Sequence, residues 1–156
     1  MEPSGEHDGN HRRLIVIDVD RLAWWGSSSR KLVSWIDAVL WLAEGPHDEV
    51  ALVGRRSRLP RIGRRPNPAD WFVEVPRGWS ISSALADWSH PRYIAARYSS
   101  VLLGPGSYGF EPFASALQRR GVEVQLVERL GGRLVGPRDW VGRPAEIAVP
   151  YRPGAA

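Results

Sequence analysis

Two acids close an apolar run in RLIVIDVD, and Asp18 and Asp20 are the first candidates for chemistry in the chain. Carboxylates at the carboxyl end of a buried strand are the groups that hold a divalent cation or move a proton. The second candidate is the turn in LLGPGSYGFEPFASALQRRG, residues 102–121, which offers a ligand only the Ser107 and Tyr108 hydroxyls besides its backbone groups. No serine stands in a Gly-x-Ser-x-Gly setting, so a hydrolase nucleophile has no support. The third is GRRSRLPRIGRR, which gathers Arg55, Arg56, Arg58, Arg61, Arg64 and Arg65 with no acid among them. Such a stretch is either an anion-attracting surface or a solvated loop shaped by Pro60 and Pro66. His7, His11, His47 and His90 are scattered without metal-ligand spacing and are assigned no chemistry.

The elements that must position these residues follow from the apolar pattern. RLIVIDVD reads as a buried strand carrying Asp18 and Asp20 at its end. Leu32 to Leu42 repeat at helical spacing, led by serines and closed by Gly45 and Pro46, and Trp35 and Trp41 are read as core residues of that helix. EVALVG and DWFVEV are expected to be strands, ISSALADW and PRYIAARY helical segments split at His90 and Pro91, and SVLLG another buried strand. Pro112 is welcome only in the first turn of a helix, so EPFASALQRR is expected to start near Glu111 and to stop at Gly121 before a last strand, VEVQLV. Glycines and prolines after Glu128 predict an irregular extension, with AEIAV as a candidate edge strand. Alternating strands and helices imply a three-layer α/β/α sandwich around a mostly parallel central sheet, with its site at the carboxyl ends of the strands.

The turn admits two readings. Gly104, Gly106 and Gly109 spell Gly-x-Gly-x-x-Gly after a strand and before a helix, and Glu128 follows about 20 residues on, as in a Rossmann-like dinucleotide-binding protein. Against this, Pro112 starts the helix beyond the last glycine, and the turn comes late in the chain. The second reading uses LIVIDVDRL, VPRGWSI and VLLGPGSYGFEPFASALQRRGVEVQLV together. In order and spacing these resemble NYN domains, the PIN-like relatives of ribonucleases, over about residues 13–128. The family pattern has Asp-x-x-Asn at the first strand end, a middle Lys-Gly-x-Asp, and Ser-Gly-Asp-x-Asp-Phe followed by a proline and a Gly-x-x-Val strand. Arg77, Gly78, Phe110, Pro112, Gly121, Val122 and Val124 fall where it places them.

The acids of the pattern are mostly replaced. Asp18 matches the first aspartate, whereas Arg21 stands for the asparagine, Ser80 for the middle aspartate, and Ser107 and Gly109 for the two of the last loop. Asp87 lies one position from a further family acid. The resemblance therefore implies a PIN-like fold with a degenerate nuclease site, acting as an RNA-binding or protein-interaction module without a cofactor. Arg21, Gly106, Ser107, Tyr108 and the arginines from 55 to 65 would form its nucleic-acid surface, and the loop residues Trp24 and Trp25 either stack a base or pack onto the sheet edge. The alternative is an active metal-dependent endoribonuclease, with Asp18, Asp20 and Asp87 catalytic and Asp18 ligating Mg²⁺ or Mn²⁺.

The bulk numbers bound both readings. A chain of 156 residues with 43% apolar content is expected to build one domain, framed by a disordered tail at 1–12 and the extension at 129–156. The absence of cysteine excludes a disulfide framework or a thiolate metal site. With no membrane-length apolar run and no secretory signal pattern, a cytoplasmic location without a membrane partner is expected. The net charge is +4, with Lys31 as the single lysine, but a codon bias would give the same preference for arginine, so only the local cluster at 55–65 bears on an anionic partner.

Overall fold

The structure is a computed structural model that describes residues 12–24, 48–55, 71–130 and 133–135. Its elements in chain order are β1 (Arg13–Asp18), α1 (Val19–Trp24), β2 (Asp48–Gly54), β3 (Trp71–Glu74), α2 (Ile81–Trp88), α3 (Pro91–Arg97), β4 (Ser100–Gly104), α4 (Glu111–Gln118), β5 (Glu123–Leu126), β6 (Glu128–Leu130) and β7 (Arg133–Val135). The predicted helix at 32–42 lies outside the described residues, as do Trp25, Arg56, Arg58, Arg61, Arg64, Arg65, residues 1–11 and AEIAV.

β1 to β5 form one all-parallel sheet in the order β3-β2-β1-β4-β5. The central strand β1 is buried at every position, as a strand covered on both faces must be. Leu14 and Val16 share a face with Ala51, Val53, Val101, Leu103, Val124 and Leu126, which pack against Leu85, Ile94, Phe110, Phe113 and Leu117 of the α2–α4 side. Ile15, Ile17, Leu52 and Leu102 alternate onto the opposite face and are fully buried too. Each such side chain contributes about 1.5–3 kcal/mol. The chain winds outward from β1 to β3 and then crosses back to β4, so right-handed crossovers place the two sets of connections on opposite faces. The result is the three-layer α/β/α sandwich expected from the alternation.

Most expected elements stand where the pattern places them, including the start of α4 at Glu111. Two differ. β1 ends at Asp18, and Asp20 belongs to the first turn of α1 and not to the strand, because the Asp18 side chain caps the helix at that point. The region after Glu128 is not wholly irregular: β6 and β7 pair antiparallel, with Arg129 opposite Leu134. The sequence ERLGGRLV carries a hairpin signal, two short runs separated by Gly-Gly, that the surrounding glycines and prolines obscure. No helix among the described residues is long and apolar enough to cross a membrane.

Candidate functional site

In an open parallel sheet, ligands bind outside the carboxyl ends of the strands where the winding reverses. Here that point lies between β1 and β4, whose following segments carry Asp18 to Arg21 on one side and Pro105 to Phe110 on the other.

Asp18 is 4% exposed. Its Oδ1 accepts the Arg21 N–H at 3.0 Å, the reach of an N-cap side chain to the third helical residue. Burial raises its pKa from the usual 3.8 to about 6, helped by the nearby Asp20 charge and opposed by the Arg21 and Asp20 amides and the Arg21 guanidinium. Asp20 is half-buried and turned toward β2, where its Oδ2 accepts the Arg55 N–H at 3.0 Å. Gly54, the last residue of β2, lets this approach happen: a Cβ there would lie 3.3 Å from that of Val19. The backbone of Arg55, where the arginine-rich stretch begins, is thereby fixed to the edge of the site.

Across the crevice, the turn after β4 is held from below and behind. The Gly106 N–H donates to the Val127 carbonyl at 2.8 Å, and the Val127 N–H to the Leu103 carbonyl at 2.7 Å. Val127 sits so close that a Cβ on Gly104 would come within 2.6 Å of it. Ser82, a buried hydroxyl on the apolar face of α2, donates to the Gly109 carbonyl at 2.7 Å and accepts the Phe113 N–H at 3.3 Å. Gly109 has φ +82°, a left-handed conformation suited to glycine. What projects is the tip: Ser107 is half-buried and Tyr108 is 67% exposed. The Arg21 guanidinium lies 4.8 Å from the centroid of the Tyr108 ring, a cation–π contact that spans the crevice from α1 to the loop.

The structure thus brings together Asp18, Asp20, Arg21, Ser107 and Tyr108, with Arg55 at the margin. Gly106 supplies shape and not a donor, since its N–H is already committed to Val127. A phosphate cradle built on that amide, and a pyrophosphate site of the dinucleotide kind, both lose this hydrogen bond. Asp87 stands exposed on α2, six residues beyond Ile81, the end of the helix that touches Gly109, or about 9 Å along the axis. Ser80 caps α2, accepting the Ser83 N–H at 3.1 Å.

Among the described residues no three His, Cys, Asp or Glu side chains form a group able to hold a metal ion. A hard divalent cation needs several converging oxygen ligands. Asp18 and Asp20 each spend an oxygen on a backbone amide instead, so the described residues do not fit a Mg²⁺ or Mn²⁺ centre. Sequence reasoning placed Arg21 and Tyr108 at the site without foreseeing that they stack, and it missed Ser82. The signal for Ser82 was a serine on the buried face of an amphipathic helix. Comparison of the chain with protein-family models, with curated proteins and with solved structures finds no match in any of the three.

Proposed function

We propose that this chain is a PIN-like domain of NYN type with a depleted set of acids, and that its crevice binds unpaired RNA without cutting it. The observation that carries the reading is the Arg21–Tyr108 pair, set across the switch point beside a single buried carboxylate. A guanidinium suits a phosphate oxygen, and an exposed ring supplies a stacking face for a base. Ser107 precedes Tyr108 in the same turn, and Arg55 leads from the crevice into the arginine-rich stretch. The all-parallel sheet, with its crevice at the reversal of strand order, has the architecture such a domain requires.

The test is a fluorescence-anisotropy titration of a labelled single-stranded RNA at several salt concentrations. Binding should weaken with salt, and Arg21→Ala should reduce the logarithmic slope by about 0.7, the value for one phosphate contact on a single strand. Tyr108→Ala should weaken binding by about 5-fold to 150-fold, the worth of one stacked base, while changing stability by less than about 0.5 kcal/mol. Absent or salt-insensitive RNA binding would point to a protein-interaction module. RNA cleavage in Mn²⁺ that Asp18→Asn abolishes would make the chain an active ribonuclease and the reading wrong.

A further inference from the structure

A second basic feature lies away from the crevice, between the start of α3 and the end of α4. A cavity of about 410 Å³ is lined by His90, Pro91, Ala116, Arg119 and Arg120. It brings together residues about 30 positions apart in the chain, because α3 and α4 pack on each other. No acid lines it, and among the described residues neither Arg119 nor Arg120 has a carboxylate partner.

The backbone under these groups is fixed. The Arg119 N–H donates to the Ser115 carbonyl, Arg120 to Leu117 and Gly121 to Gln118, while Val122 closes back on Leu117 at 3.1 Å. His90 caps α3, its Nδ1 accepting the Arg92 N–H at 3.1 Å. That bond leaves the proton of the neutral ring on Nε2, as a donor. Arginines at the end of a helix complement its dipole, but that end carries only about half a negative charge, so two full positive charges leave the cavity attractive to anions. Its volume falls within the range of small-molecule sites. That exceeds what a bare ion needs, and Pro91 and Ala116 give it an apolar wall for an organic group.

We infer that this cavity is a binding site for a phosphate monoester with an organic substituent of about mononucleotide size, held by Arg119, Arg120 and His90. The chemistry is the same for a free mononucleotide and for the phosphorylated end of an RNA strand. The inference does not rest on the reading of the crevice.

Calorimetric titration with AMP, adenosine and inorganic phosphate tests it, alongside matched RNA strands bearing a 5′-phosphate or a 5′-hydroxyl. AMP should bind saturably, adenosine should not, and inorganic phosphate should compete. Preference for the phosphorylated strand without AMP binding would assign the site to RNA ends and support the same chemistry. The Arg119→Ala/Arg120→Ala double variant should weaken binding by at least about tenfold, as loss of charge-assisted contacts requires. Arg120→Glu should do the same, with circular dichroism confirming that each variant is folded, and Tyr108→Ala should leave this site unchanged. Equal binding of AMP and adenosine would overturn the inference. So would unchanged affinity in both folded variants, or no saturation by either phosphorylated probe.

Discussion

The Asp18 carboxyl should make the protein less stable at neutral pH than in mild acid, and the size of the effect follows from its burial. In the unfolded chain it ionises with the usual pKa of 3.8, but in the folded protein only near 6. Between those values the native state binds more protons than the unfolded one, so stability falls as pH rises. The contribution is complete below about 3.8 and lost above about 6. At about 1.4 kcal/mol per decade of acidity, it amounts to about 3 kcal/mol. Asp18→Asn removes the charge while its amide oxygen can still cap Arg21. The variant should therefore be more stable than the wild type by up to about 3 kcal/mol at about pH 7.5 and nearly equal at about pH 4. In melting temperature this is roughly 6–12 °C for a chain of this size. Urea unfolding followed by tryptophan fluorescence across that range measures it directly. A gain of the same size at both pH values, or a variant less stable than the wild type at neutral pH, would refute the argument that desolvation dominates.

Three substitutions probe the frame around the site. Ser82→Ala strips partners from the Gly109 carbonyl and the Phe113 N–H together and should cost about 1–3 kcal/mol in urea unfolding. Gly104→Ala places a methyl within 2.6 Å of Val127, including its backbone oxygen, and should cost about 1–3 kcal/mol by overpacking, seen as a lower melting temperature. Tyr98→Phe removes the hydroxyl that donates to Glu49 at the opposite end of the sheet and should cost about 1–2 kcal/mol in urea unfolding.

The parts of the fold legible in the sequence were those with one dominant local signal. Continuous apolar runs marked β1 and β4, and Pro112 marked the start of α4. The end of β1 was not legible, because Asp18, Val19 and Asp20 continue an alternation that suits a strand, and only the capping bond to Arg21 decides for a helix. Asp18 was singled out as a candidate from its place at a strand end, but its raised pKa depends on burial that no local pattern reports. The Arg21–Tyr108 contact joins residues 87 positions apart and follows from strand order alone. The cavity at His90 was hidden for the same reason: each of its basic residues, taken singly, looks like an ordinary helix terminus.

One hydroxyl, that of Ser82, fastens the back of the loop and the first turn of α4 to the same point on α2. Loop, helix start and supporting helix are therefore tied at one point, and Tyr108 projects from a turn whose base that tie holds. A molecule that settles there surrenders its own freedom but does not have to organise its host. Association at this tip should be governed by encounter and charge, with no slow rearrangement of the loop in its kinetics.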